Sequence, residues 1–305
     1  MARLSLWHLP VTFLLLTVLY LLARQQAEFP GSSPSSAPPP PPRCASAASL
    51  YARSGARRCL HSPHRALGRT TSGTSTSPPS PAPFPVFRVG VMGDGGKWVC
   101  GLERATHHPN CVIYSMGVER QSSFEQEMLH QSKDCQIWGF DFSVSEWGPE
   151  LRADTAVNAR AHFFPYKIGA ADNHTADPKE YSLQGIMKEL GHEFIDVWKI
   201  DIEGSEFRAL KAVIESFKGQ PLPFGQMQIE IHVDFDPDHV NTIGEFDEWW
   251  TMLEDAGLRP FWTELNVLDA NIYRRGPYVS EWSFINIRGK HALLDDTLPD
   301  HPWLI

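Results

Sequence analysis

Residues 111–141 read Cys111-Val-Ile-Tyr-Ser-Met-Gly-Val-Glu-Arg120, Gln121-Ser-Ser-Phe-Glu-Gln-Glu-Met-Leu-His130 and Gln131-Ser-Lys-Asp-Cys-Gln-Ile-Trp-Gly-Phe-Asp141. A short apolar run ends in a lone glycine, Gly117. A helical pattern follows over Ser123 to Gln131, with Phe124, Met128 and Leu129 as its apolar positions. A second apolar run, Cys135 to Phe140, ends on Asp141. β-Branched and aromatic residues favour strands, and glycine admits a close backbone approach. The order strand, tight turn, helix, strand, acid is that of the first half of a nucleotide-binding α/β unit. The acid would stand at the carboxyl end of the second strand, within reach of a ribose. An ordinary βαβ packing turn gives the same pattern.

Outward from this stretch the chain is asymmetric. It has 305 residues and a net charge of -9. Residues 1–88 hold nine arginines, no lysine and one acid, Glu28. Of 27 basic and 36 acidic residues, that leaves 18 and 35 for residues 89–305. An acidic globular part argues against a nucleic-acid partner, which needs a basic face. Five cysteines without a C-x-x-C pair argue against a disulfide scaffold and a structural zinc site. Cys111 and Cys135 open predicted strands and read as buried thiols, although an oxidising lumen would allow one pair to close.

Leu4 to Ala23 is long and apolar enough to cross a bilayer. Residues 1–28 therefore read as a signal anchor that leaves the remainder lumenal, in a single-pass type II arrangement in the ER or Golgi. Cleavage near Ala27 would instead give a secreted chain. Residues 29–85, with Pro38-Pro-Pro-Pro-Pro42 and a serine- and threonine-rich run at Thr70 to Ser77, cannot bury a core and read as an extended, disordered stem. Residues 86–305 form the folded domain.

That domain opens on Val89 to Cys100, where four glycines surround Asp94 and Lys97. It is not a Walker loop, since neither Ser nor Thr follows Lys97. Beyond Asp141 the expected elements are a strand at Ala161 to Gly169, a helix from Ser182 to Leu190, a strand from Phe194 to Ile200 and a helix from Phe207 to Phe217. A strand at Gln226 to His232, a helix at Phe246 to Ala256 and strands at Phe261 to Leu268 and Trp282 to Ile287 complete the chain. The last two have no helix between them and predict an antiparallel hairpin at a sheet edge. Asn173-His-Thr175 fits the N-glycosylation pattern on a polar loop.

A seven-stranded, mostly parallel sheet with a terminal antiparallel hairpin is the Rossmann-like architecture of class I S-adenosylmethionine-dependent methyltransferases. The local motifs agree. Asp94-Gly-Gly-Lys-Trp-Val-Cys100, Val112-Ile-Tyr-Ser-Met-Gly-Val118, Ser122-Ser-Phe-Glu125 and Phe140-Asp141 together resemble the methyltransferase-like "domain 22" family. Lys199-Ile-Asp-Ile-Glu-Gly-Ser-Glu206 is similar to the K-x-D-x-E-G-x-E element shared by that family and FkbM-type O-methyltransferases. The first motif departs from methyltransferases at large in keeping only Gly117. The resemblance implies S-adenosylmethionine as cofactor, held by Tyr114, Ser115, Gly117, Ser123, Asp141 and Phe142, with Lys97 and Trp98 on a loop closing over it. It also implies Asp201, Glu203 or His232 as the base for a hydroxyl acceptor, on a glycan or a secreted small molecule.

Asp201 and Glu203 alternate along a strand end and so should point to opposite faces, and one of them would serve equally well as a helix cap. His232 shares a strand face with Glu230 and is also a candidate structural residue. A divalent cation on Asp201 with Glu230 or His232 is chemically conceivable; none is predicted. Two other functions stay open: a metal-dependent lumenal glycosyltransferase using Asp234-Phe-Asp236, and a non-catalytic binding protein that kept the fold. A dehydrogenase is disfavoured by the missing G-x-G-x-x-G.

Overall fold

A computed structural model describes residues 81–233, 240, 242–266, 271–272 and 278–298. The apolar span at Leu4 to Ala23, the stem as far as Ser80 and Asp234-Phe-Asp236 lie outside the described residues. Among the described residues no helix is long and apolar enough to cross a membrane.

The opening unit folds as its sequence reads. β3 (Val112–Met116) leads through Gly117 to α2 (Ser123–Gln131) and β4 (Gln136–Phe140). Before it come a hairpin, β1 (Val86–Val89) and β2 (Lys97–Cys100), and the short helix α1 (Leu102–Thr106). After it come α3 (Pro149–Arg152), β5 (Ala161–Phe164), β6 (Lys167–Ile168), β7 (Glu180–Tyr181), α4 (Leu183–Leu190), β8 (Ile195–Ile200) and α5 (Glu206–Ser216). β9 (Phe224–His232), α6 (Ile243–Asp255), β10 (Leu258–Leu265) and β11 (Val279–Asn286) complete the domain. The main sheet has seven strands in the order β5-β4-β3-β8-β9-β11-β10. The five from β5 to β9 are parallel, and β11 runs antiparallel to both β9 and β10. This is the expected class I methyltransferase architecture, terminal hairpin included. The chain leaves β3 toward β4 on one side and meets β8 on the other, so the carboxyl ends of β3 and β8 flank a topological switch point.

Strand alternation divides the core between the two faces. Tyr114, Met116, Trp198, Ile200, Met227 and Ile229 join α4, α5 and α6 on one face. Ile113, Val197 and Ile137 join Phe124, Met128 and Val99 on the other. β9 is buried throughout, yet its second face is polar: Gln226, Gln228, Glu230 and His232. Those side chains receive the N-terminal hairpin. Cys100 N donates to Gln226 Oε1 at 3.0 Å, and Gln226 Nε2 donates back to Cys100 O at 2.9 Å. Gln228 and Ser283 donate to Trp98 O. Side-chain amides thus stand in for a neighbouring strand and satisfy the buried edge of β2. The preceding residues join in: Gly101 N donates to Pro85 O at 2.9 Å, and the Arg104 guanidinium lies 4.6 Å from the Phe84 ring centre.

The structure corrects several expectations. Cys111 and Cys135 form a disulfide instead of two buried thiols. β3 and β4 are parallel neighbours in register, Val112 opposite Gln136, and this brings the preceding Cα atoms to 4.3 Å. Cys100 remains a buried free thiol. The expected strand from Ala161 to Gly169 breaks at Pro165, which has no N–H for a ladder, and the chain resumes as β6 in a separate two-stranded sheet with β7. α6 starts at Ile243, because Thr242 and Glu245 form a reciprocal capping box.

Candidate active site

The carboxyl ends of β3, β4, β8 and β9 open onto a cavity of about 390 Å³, inside the range of small-molecule sites. One wall is the turn after β3. Gly117 has φ +75°, and a β-carbon there would lie 1.5 Å from the Asp201 carbonyl oxygen. Glycine is therefore required for its handedness and for its closeness to β8. Gly117 N donates to Phe140 O at 3.0 Å, and Lys199 Nζ donates to Gly117 O at 2.5 Å. Asp141, at the end of β4, gathers the same turn. Its Oδ2 accepts from Val118 N at 2.9 Å and from Glu119 N at 2.7 Å, and its Oδ1 accepts from Ser143 N and Oγ, both at 2.7 Å.

The facing wall is the turn after β8. Ile195, Val197 and Ile200 are buried, as a central strand requires, and Asp201 follows with its backbone N–H on Met116 O at 2.9 Å. Glu203 has φ +53° and Gly204 φ +98°. Two successive left-handed residues reverse the chain, so Asp201 and Glu203 do not diverge as strand alternation predicts. Both line the cavity, with Asp201 Oδ1 3.9 Å and Glu203 Oε2 3.6 Å from His232 Nε2. The other nitrogen of His232, Nδ1, is 3.0 Å from Oε1 of Glu206, a fully buried carboxylate that also accepts from Ile202 N at 2.9 Å. Burial pulls the His232 imidazole down, but Glu206, then Asp201 and Glu230, push it up to about 10. It is an imidazolium at neutral pH.

Behind this wall lies Lys97, 2% exposed. Its Nζ is 3.0 Å from Glu230 Oε2, 3.5 Å from Asp201 Oδ2 and in contact with Glu281. Burial alone would lower the ammonium; Glu281, Asp201 and Glu230 together hold it well above the ordinary lysine range. Glu281 moves the other way for a carboxylate, raised by burial more than Lys97 can offset, whereas Lys97 and His232 hold Glu230 down despite its burial. Asn266 Nδ2 bridges Asp94 Oδ1 and Glu230 Oε1, both at 2.8 Å, and ties the hairpin loop to the cavity wall. Two acidic groupings, Asp201–Glu203–His232 and Asp94–Glu230–Glu281, have oxygens and nitrogens close enough to hold a cation. Protein cations already serve both: the imidazolium in the first, Lys97 beside the second.

Of the residues singled out from sequence, Gly117, Asp141, Phe142, Asp201, Glu203 and His232 line the cavity. Tyr114 does not: it is fully buried among Phe140, Trp138 and His192, its hydroxyl 2.6 Å from His192 Nδ1. Ser115 Oγ donates to the buried Glu125, and Ser123 Oγ accepts from Val91 N. Trp98 stacks on Trp262 at 4.1 Å, on the far side of the hairpin. Strand alternation puts Tyr114 and Ser115 on opposite faces of the sheet, and Ser123 belongs to the first turn of α2; none of the four lines the cavity. Lys199, Glu206, Glu281 and Asn266 were not singled out, and Glu230 was named only as a conceivable cation ligand. Lys199 and Glu206 are the ends of the K-x-D-x-E-G-x-E stretch, and an acid within a strand was the available signal for Glu281.

The cavity suits a nucleoside-bearing cofactor. Asp141 Oδ1, held among the described residues only by neighbouring Ser143, is the oxygen that ribose hydroxyls would share. Glycine at 117 lets the turn lie flat against β8, so its backbone forms the cavity wall.

Residues 79–279 match the methyltransferase domain family Methyltransf_22. "Probable methyltransferase-like protein 24" of Rattus norvegicus is 28% identical over 173 residues, which is 53% of this chain and 44% of that protein. The protein of the same description from Homo sapiens is 26% identical over 172 residues, 52% of this chain and 43% of its own length. The chain thus spans less than half the length of these relatives. Among solved structures, Methanococcus jannaschii fibrillarin, described as a pre-rRNA processing protein, is similar at 13% identity over 64% of this chain and 72% of that one, with a TM-score of 0.37. Aeropyrum pernix fibrillarin, solved with natively bound S-adenosyl-L-methionine, is 11% identical over 67% and 83%, with a TM-score of 0.33. The match over residues 79–279 covers the cavity and the sheet as far as the start of β11, and on it the chain belongs to the methyltransferase domain family Methyltransf_22.

Proposed function

We propose that the protein is a lumenal, membrane-anchored O-methyltransferase acting on a hydroxyl of a glycan or a secreted small molecule. One observation carries the chemistry: the Gly117–Asp141 wall and the Asp201–His232 wall face each other across a single cavity at the switch point. Gly117, Asp141 and Phe142 would hold the cofactor, which supplies an electrophilic methyl on a sulfonium. A hydroxyl acceptor would take that methyl and would have to give up its proton to a group on the cavity wall. His232 already carries a proton, and the Glu203 side chain is 70% exposed. Asp201 is therefore the base, with His232 and Glu206 fixing its surroundings. Lumenal placement is supported by the Leu4 to Ala23 span and by the Cys111–Cys135 bridge, of a kind that persists in oxidising compartments.

The test uses the full chain. Calorimetry should show S-adenosylmethionine binding, and a glycan and small-molecule panel should yield a methylated product. Asp201→Asn should keep cofactor affinity within a few-fold while turnover falls by about a hundredfold or more. Unchanged turnover per folded molecule would remove Asp201 from the chemistry.

A further inference from the structure

The segment between β6 and β7 takes no part in the cavity chemistry, and it carries Asn173-His-Thr175, the chain's one N-x-S/T triplet. All three residues are exposed. The backbone there is fixed: Asn173 N donates to Glu180 O at 2.8 Å, and Glu180 N donates back at 3.1 Å. The His174 ring lies 4.3 Å from the Tyr181 ring, which anchors the loop against the domain. Thr175 Oγ1 donates to Asn173 Oδ1 at 2.9 Å. That bond occupies the amide oxygen, and among the described residues the amide nitrogen donates to nothing. A group attached to that nitrogen would project into solvent without displacing a core side chain. A bulky, solubilising sugar can be carried only at such a place.

From this geometry we infer that Asn173 is an N-glycan attachment site. The donor class is an oligosaccharide on a lipid pyrophosphate. The Asn173 amide nitrogen bonds to the sugar C1, the C1–oxygen bond to pyrophosphate breaks, the lipid pyrophosphate leaves and an amide proton is released. The inference rests on the lumenal reading above. Lys167 and Ile168, on the cavity wall, pair with Glu180 and Tyr181, and Asn173 lies on the other side of Glu180. The glycan would stand beside the cavity wall and outside the cavity.

The experiment expresses the full chain with a C-terminal tag in cells with a secretory pathway. Peptide-N-glycosidase digestion should shift the parent by one glycan. Asn173→Gln and Thr175→Ala should each migrate as the digested parent, and Thr175→Ser should keep the shift. Protease protection of the same microsomes separates the two ways of failing. A protected domain with no glycosidase shift overturns the glycan site alone. A domain digested without detergent overturns the lumenal reading and the site with it.

Discussion

Replacing Lys97 with methionine removes the ammonium and leaves a side chain of similar length. Glu230 and Asp201 lie 3.0 and 3.5 Å from Nζ. At an effective dielectric of about 20, each attraction is about 5 kcal/mol. Against this stands the cost of holding a fully buried ammonium away from water, several kcal/mol. Removing one member of such a cluster leaves the others buried and uncompensated, a loss of about 3–5 kcal/mol. Glu281, whose carboxyl burial already pushes toward the protonated form, limits the loss by holding its proton. Urea unfolding followed by tryptophan fluorescence gives the free energy, and Tm should fall by about 10 °C. Adding Glu281→Gln, which mimics the protonated acid, should change stability by less than ~1 kcal/mol in the methionine background but destabilise the parent by more, since it removes a partner of Lys97 and a shared partner makes the effects non-additive. A Lys97→Met protein within ~1 kcal/mol of the parent, or strict additivity with Glu281→Gln, would refute the neutralising role of the ammonium.

Gly117→Ala forces a β-carbon toward the Asp201 carbonyl in a left-handed conformation and should cost about 2–4 kcal/mol, with cofactor affinity falling too; denaturation and calorimetry on the same preparation check both. Asp141→Ala should weaken S-adenosylmethionine binding about ten- to a hundredfold and also cost ~1–3 kcal/mol, because Val118 and Glu119 lose their acceptor; equal titrations of variant and parent would remove Asp141 as the ribose ligand. The folded value of His232, about 10, lies above its ordinary 6.5, so its contribution is complete below pH 6.5 and is lost as pH rises through 10. Between pH 7 and 9 stability should fall by up to ~1.4 kcal/mol per unit, and His232→Gln should flatten that slope; the same slope in both proteins would count against an imidazolium held by Glu206, Asp201 and Glu230.

Three of the five parallel strands, β3, β4 and β8, were legible because each is an apolar run ending at Gly117, Asp141 or Asp201, where local pattern and tertiary role agree. The terminal hairpin was legible from two strands with no helix between them, although β10 begins at Leu258, before the aromatic run that draws attention. The N-terminal hairpin was hidden behind its glycines. Its clue lay far away, in the alternating Gln226, Gln228 and Glu230 of β9, polar residues that nothing on their own strand explains. The disulfide was missed because the register that joins its ends belongs to the sheet and not to either cysteine. Asp201 and Glu203 converge through a positive φ at a glutamate, which no side-chain periodicity announces.

The hairpin's dependence on distant partners bears on the order in which the chain is made. Cys100 is completed 126 residues before Gln226, and Lys97 and Trp98 wait 184 and 185 residues for Glu281 and Ser283. At ordinary elongation rates that interval is roughly 10–40 s. Until β8 and β9 are made, the edge of β2 has water and its own hairpin for partners, and the Lys97 ammonium lacks Asp201 and Glu230; Glu281 and Ser283 come later still. The hairpin, first of the described strands to be synthesised, thus cannot complete these contacts until β9 and β11 exist, and their high sequence separation carries a loop-closure cost that must be met before they contribute. A chain halted before Glu281 retains all five parallel strands and lacks the strand that completes the seat of its own amino-terminal hairpin.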